Sequence, residues 1–153
     1  MSTPKKELAV AALRNGTVID HIPDSALFKA VDLLGLAGID KSITIGNNLP
    51  SGKLGRKGLI KVADTFFPEE VLNRIAIIAP TAIIKTLRDY EVVEKRPVML
   101  RDEVVGIVAC NNPKCISNNE PMASRFHVVS RHPVCLVCHY CEHELTGSDI
   151  ILK

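Results

Sequence analysis

The five cysteines of the chain all lie in its last third, and four of them form two tight pairs, Cys110-Asn-Asn-Pro-Lys-Cys115 and Cys138-His-Tyr-Cys141, with 22 residues between. Two short loops carrying two thiolates each can present four soft ligands to one tetrahedral ion without strain. We read Cys110, Cys115, Cys138 and Cys141 as the ligands of one structural Zn2+ per chain. Disulfides and inert buried thiols are the alternatives, but packing alone rarely produces two such close pairs. Cys135-Leu-Val-Cys138 is a rival second pair. In a strand, Val134, Leu136 and Cys138 share one face and Cys135 points the other way, which favours Cys138 as the ligand and leaves Cys135 a free thiol. Four thiolates also make His139 and His143 surface histidines. A closed shell leaves no position for water or substrate, so the metal is read as structural and not catalytic.

The same cysteines divide the chain. The first 100 residues contain none, so they must fold around an ordinary apolar core, for which 46% hydrophobic residues suffice. The segment from Arg101 to Lys153 is too short to bury much core and needs a staple. The expected domains are therefore 1–100 and 101–153. No apolar run of signal-peptide or membrane-span length follows the polar start, Met1 to Glu7, so a cytoplasmic protein with no membrane association is expected, in a reducing compartment that keeps thiolates available to metal.

Charge excludes a common role for small metal modules. Residues 1–100 hold 14 Lys and Arg against 11 Asp and Glu, whereas residues 101–153 hold 5 against 6. A nucleic-acid-binding module needs a cationic surface, and single-strand binders add aromatic platforms. The metal segment is slightly acidic and the whole chain has two Tyr, four Phe and no Trp, so no nucleic-acid partner is expected.

Periodicity in the first domain alternates between strand and helix. Leu8 to Leu13 and Thr17 to His21 read as extended around the turn signal Asn15-Gly16. Asp24 or Ser25 is placed to cap a helix whose buried face carries Leu27, Val31 and Leu34 and which Gly35 stops. Ser42 to Leu49 is extended, Pro50-Ser51-Gly52 a turn, and Leu59 to Phe66 extended again. Pro68-Glu69-Glu70 opens a second helix with a stripe of Val71, Leu72, Ile75 and Ile78, ending before Pro80. Ala82 to Leu87 and Tyr90 to Lys95 close the domain as strands. The order predicts an α+β protein, a ferredoxin-like split βαβ sandwich followed by a small zinc-ribbon-like β domain.

Residue chemistry alone leaves the first domain open. Asp20-His21 stands at a strand end, with Gly55-Arg56-Lys57-Gly58, Lys61, Lys85, Tyr90 and Lys95 on other strands and turns. Cations from several strands could meet at one anion, yet solvated lysines are the ordinary reading. Gly52, Gly55 and Gly58 do not form a phosphate loop, no nucleophile and base stand at a recognisable catalytic spacing, and Glu69-Glu70 fits helix-start charge.

Taken together, Gly16-Thr-Val-Ile-Asp-His-Ile-Pro23, Ile43-Thr-Ile-Gly-Asn-Asn-Leu-Pro-Ser-Gly52, Gly55-Arg-Lys-Gly-Leu-Ile-Lys61, Asp89-Tyr-Glu-Val-Val93 and the cysteines at 110, 115, 138 and 141 resemble the regulatory chain of aspartate carbamoyltransferase over essentially the whole length. The resemblance implies a noncatalytic allosteric subunit of pyrimidine biosynthesis. It would bind CTP, ATP or UTP in its first domain and grip the catalytic chain with its metal domain, as a regulatory homodimer in a dodecamer of two catalytic trimers and three regulatory dimers. It places the nucleotide against Ala12, Leu13, Asp20, His21, Lys57, Lys61, Lys85, Tyr90, Val92 and Lys95, with Lys85 departing from the shorter amide of better-known members. It places Asn112, Lys114 and Glu120 against the catalytic chain, Lys114 again replacing an amide.

Overall fold

The computed structural model describes residues 13–52 and 55–152. Residues 8–12 of the first expected strand, Ala12 among them, lie outside that set. The chain divides into two compact units, Met1–Met99 and Leu100–Lys153.

In the first unit β1 (Gly16–Ile22), α1 (Leu27–Leu33), β2 (Ile43–Ser51), β3 (Gly55–Ala63), α2 (Glu69–Ile78), β4 (Ile83–Arg88) and β5 (Glu91–Pro97) follow one another. The five strands pair antiparallel in the order β2-β3-β1-β4-β5, the split βαβ arrangement extended by one edge strand. Register explains the layering. Ile19 of β1 stands between Ile60 of β3 and Ile84 of β4, and these three residues pack with Leu27 and Ala30 of α1 and Leu72 and Ile75 of α2 in one buried cluster. With a period of two, the next row across the sheet belongs to the opposite face. That row runs Lys61, Val18, Lys85, Lys95, so burying the isoleucines sends the lysines to the side away from the helices.

A bulge between Ile19 and Ile22 shifts the register so that both isoleucines enter the core although they are three residues apart. His21 occupies the shift with φ +58, and its N–H, released from the ladder, donates to the Asp20 carboxylate at 2.7 Å. Gly58, opposite Ile22, has room for no side chain: a Cβ there would stand 2.9 Å from Leu27 Cδ1, so glycine lets β3 approach α1.

Several local expectations are corrected. Neither Asp24 nor Ser25 caps α1 with its side chain; Asp24–Ala26 form a 3-10 turn closed by Ala26 N–H to Pro23 O at 2.9 Å, and α1 begins only at Leu27. Pro50 and Ser51 are not a turn but the end of β2, paired with Arg56 and Gly55. Proline is tolerated because, among the described residues, β2 stands at the edge of the sheet. β3 correspondingly begins at Gly55, so Gly55 to Gly58 are strand, and it ends at Ala63 because Asp64 turns to φ +51. Tyr90 lies in the tight turn with Asp89, both at positive φ, and β5 starts at Glu91. Of the expected α2 stripe, Leu72 and Ile75 are buried, while Val71 and Ile78 are half-buried at its margin. Glu69 in the first turn of α2 accepts two hydrogen bonds from the Arg96 guanidinium, at 2.8 and 3.1 Å, tying the helix start to β5.

The second unit is a small ribbon-like β domain. β6 (Glu103–Val105), β8 (Arg125–Arg131), β9 (Val134–Cys138) and β10 (Glu144–Thr146) form a four-stranded sheet in the order β10-β9-β8-β6. β7 (Val108–Ala109) pairs with β11 (Ile151–Leu152), and α3 (Ile116–Asn119) is a single turn after Cys115. Val104, Val108, Phe126, Val134, Leu136 and Leu145 are its buried aliphatic and aromatic residues.

Candidate functional site

The four cysteines converge. The Sγ atoms of Cys110, Cys115, Cys138 and Cys141 all lie within 4.8 Å of one another, with Cys110 and Cys141 at 3.5 Å and Cys115 and Cys138 at 3.7 Å. Those separations are far beyond a disulfide bond, and tetrahedral ligation at a Zn–S distance of about 2.3 Å requires sulfurs about 3.8 Å apart. Backbone amides are aimed at the sulfurs: Asn112 at Cys110, Tyr140 and Cys141 at Cys138, and His143 at Cys141. N–H donors converging on sulfur suit thiolates, the form in which cysteine holds metal. Burial pushes Cys110 up to about 12 and Cys138 upward, whereas at Cys141 burial is outweighed by hydrogen bonds from the His143 amide, Asn112, Cys110 and Cys138, bringing it down to about 6.

Asparagines fix the ligand loop, a role the sequence reading missed. Asn118 Nδ2 donates to the carbonyls of Cys110 (2.9 Å) and Asn112 (2.8 Å), and Asn119 Nδ2 to those of Cys115 (2.8 Å) and Pro113 (3.0 Å). Asn112 Oδ1 accepts the Lys114 N–H at 3.0 Å. The signal was the Ser117-Asn118-Asn119 run that begins two residues after the second cysteine of the first pair. Cys135 is not in the cluster. On β9 it faces away from Cys138, its Sγ 3.8 Å from Glu144 Oε1, and burial together with that carboxylate raises its thiol.

On the first unit the sheet face away from the helices gathers most of the cations singled out in the sequence. Asp20, at the end of β1 and 5% exposed, accepts from Lys57 Nζ at 2.8 Å and from Lys85 Nζ at 3.2 Å, with His21 Nδ1 at 3.7 Å. Burial works to raise its carboxyl, but the Lys57 hydrogen bond, the His21 amide, the charge of Lys57 and the Lys85 hydrogen bond win, holding it below the usual carboxylate range. Lys61 shifts downward, through burial first and the charge of Lys85 second, against a smaller pull from Asp20. Lys95 pairs with Lys85 in register and is exposed.

Leu13, Tyr90 and Val92 stand toward the other end of these strands. Val92 pairs with Leu87, which shares a face with Lys85, and the Tyr90 N–H donates to Arg14 O at 2.9 Å next to half-buried Leu13. Tyr90 and Val92 are 66% and 52% exposed, large apolar surface beside a cationic row. A separate cavity of about 290 Å³ opens on the helix side, among Thr17, Phe66, Leu72, Ile84, Thr86 and Arg96. Its two arginines, Arg88 and Arg96, are matched in number by Glu69 and Glu94, so it lacks the excess cation of the lysine face.

Comparison with known proteins falls on both units. Residues 8–99 match the family described as aspartate carbamoyltransferase regulatory chain, allosteric domain, and residues 102–151 match its metal binding domain. The chain belongs to the aspartate carbamoyltransferase regulatory chain family. Curated relatives of that name agree over nearly full length. The chain is 60% identical over 149 residues to the one from Parabacteroides distasonis, covering 97% of each. To that of Phocaeicola vulgatus it is 55% identical over 152 residues, covering 99% of this chain and 98% of the relative, and to that of Thermococcus gammatolerans 47% over 146 residues, covering 95% and 97%.

Membership of the aspartate carbamoyltransferase regulatory chain family makes this a regulatory, noncatalytic chain with an allosteric and a metal-binding domain. No helix among the described residues is long and apolar enough to cross a membrane. The residues that the family resemblance turns toward a partner sit on the ligand loop and just after it: Asn112 is half-buried, whereas Lys114 and Glu120 are exposed. Half-exposed Ile116 lies between them in sequence, on α3.

Proposed function

We propose that this regulatory chain binds nucleoside triphosphates, CTP, ATP or UTP, on the lysine face of residues 1–100 and carries their occupancy to an aspartate carbamoyltransferase catalytic chain held by residues 101–153. The observation that carries the reading is the gathering of Lys57, Lys61, Lys85 and Lys95 on one sheet face with Asp20 and His21, while Leu13, Tyr90 and Val92 stand at its far end. Ammonium groups match a polyphosphate, the Asp20 carboxylate can accept from ribose, and the backbone beside Leu13 and Tyr90 offers donors and acceptors to a base edge. Ala12, outside the described residues, belongs to the same assignment.

The metal is assigned as one structural zinc on Cys110, Cys115, Cys138 and Cys141, supported by the donor set and the sulfur spacing. Bound there, it supplies no reaction; it ties two loops together and so shapes the surface of Asn112, Lys114 and Glu120 for the catalytic chain. Assembly as regulatory dimers joining two catalytic trimers, in the cytoplasm, completes the reading. Coupling demands that the nucleotide bind two quaternary states unequally, by typically about 1–3 kcal/mol.

Calorimetry with CTP and ATP tests the site. Lys61→Ala and Lys95→Ala should each weaken binding by about 1.5–3 kcal/mol while leaving the metal content and assembly intact. Unchanged affinity in both variants removes these lysines from the site.

A further inference from the structure

His127 and His139 meet on the second unit without belonging to its sulfur cluster. Val104, Phe126, Leu136 and Cys138 bury one face of the four-stranded sheet, so alternation sends Glu103, Arg125, His127 and Val137 to the other face. His127 stands between Glu103 of β6 and Val137 of β9 in register. The His139 N–H donates to Arg125 O at 2.8 Å, which carries the ladder one residue past β9 and puts the second ring beside the first. His127 Nε2 and His139 Nδ1 are 2.9 Å apart, with ring centroids at 5.1 Å and planes inclined by 52°. Both rings reach solvent, and the His127 side chain is 45% exposed.

That separation has a chemical meaning. Two imidazole nitrogens bound to one ion at about 2.0–2.1 Å stand about 2.9 Å apart at a right angle and about 3.3 Å apart at the tetrahedral angle. The right angle belongs to square-planar and tetragonal ions, and imidazole suits copper and nickel among them. Orientation is supplied as well. Glu103 Oε2 lies 3.9 Å from His127 Nδ1, and Glu103 Oε1 accepts from the Arg125 guanidinium at 3.0 Å. A carboxylate on that side favours the proton on Nδ1 and leaves the Nε2 lone pair facing His139, the part that outer-shell carboxylates play behind metal-bound histidine. One proton between the rings holds the same 2.9 Å; carried on Nε2 of His139, it leaves both inner nitrogens as ligands. An ion held there would cross-link β8 to the turn that carries Cys138 and Cys141, with its other positions open to water.

We infer that His127 and His139 form a second, open metal site for a divalent ion of right-angled preference, nickel or copper, oriented by Glu103. The experiment is calorimetry of the full, untagged, zinc-loaded chain with Ni2+, because Cu2+ would oxidise the thiols. Elemental analysis before and after shows whether the zinc is unchanged. Nickel should add one ion per chain, and its paramagnetism should broaden the NMR signals of His127, His139 and Val137 before others. His127→Ala and His139→Ala should each weaken nickel binding on the order of tenfold or more, and either variant that keeps its zinc suffices to decide. Cys135→Ser should bind nickel as the parent does, which separates the site from the free thiol. Glu103→Ala should weaken binding about tenfold. No added nickel, nickel taken up undiminished by the histidine variants, or nickel lost from the Cys135 variant overturns the inference. A further zinc bound as tightly as nickel overturns the right-angled assignment, and unchanged affinity in Glu103→Ala overturns the orienting role of that carboxylate.

Discussion

The two units hold themselves together by different means. In the first, one cluster runs from Ile19 and Ile60 on the sheet through Leu27 and Ala30 of α1 to Leu72 and Ile75 of α2, and a whole helical layer covers the isoleucine row. In the second, the strands have three to seven residues in the main sheet and two in the ribbon, and three of the four clustered thiols are themselves buried as part of the interior. Apolar burial is the main source of stability in the first unit. The second places polar sulfurs and a loop rich in asparagine where a larger domain would place aliphatic side chains, so the metal assignment predicts that its folding depends on a cation.

Withdrawing that cation should give the largest difference between them. Structural zinc in small domains contributes about 10–16 kcal/mol of apparent binding free energy, which is folding free energy where the apo site does not persist. Cys138→Ser should therefore lose the metal and the amide protection of residues 100–153 in hydrogen exchange, with residues 13–99 little changed, and should release the catalytic chain. Cys135→Ser should keep one metal per chain. Metal lost from the Cys135 variant and retained in the Cys138 variant would reverse the ligand assignment.

The mirror-image change sharpens the contrast at a smaller scale. Ile60 is fully buried between Ile19 and Ile45 in register, and shortening it leaves a cavity under both helices. Ile60→Ala should destabilise the first unit by about 2–5 kcal/mol, seen as a lower midpoint in denaturant, with metal content and protection of the second unit unaltered. Coincident loss of both units would mean that they do not fold independently.

What the sequence disclosed differs between the units for the same physical reason. Two cysteine pairs carry their own spacing, so the sulfur cluster was readable without any tertiary information. The helices and most strands of the first unit were legible from Leu27, Val31 and Leu34 or Leu72 and Ile75 recurring at helical period. The lysine row was not, because Lys61, Lys85 and Lys95 become neighbours only through the strand register, which no local pattern states. Pro50 misled because its turn propensity is overruled at an edge strand, and Asp24 because the chain enters α1 through a 3-10 turn in which Ala26 is already helical. Asp20 and His21 were visible as a polar pair at a strand end; the bulge that frees the His21 N–H for the Asp20 carboxylate was not.

That bulge gives the smallest and most local prediction. The folded Asp20 carboxyl lies below its ordinary value of 3.8, so it binds fewer protons than the unfolded chain does as pH falls into that region. Its contribution to stability is therefore fully present above the unfolded value and lost as pH falls through the lowered folded value. Asp20→Asn keeps the shape and removes the charge, leaving Lys57 and Lys85, both only about a quarter exposed or less, without their shared partner. The variant should be less stable than the parent by on the order of 1–2 kcal/mol at neutral pH. Other carboxylates titrate in both proteins, so the informative quantity is the difference between their urea midpoints across pH. That difference should stay flat from neutral pH down to about 4 and shrink only below it. A difference that disappears between pH 7 and 5 would point to His21 as the titrating group, and one that is flat to the lowest accessible pH would mean that the lysines draw nothing from the ionised form of Asp20.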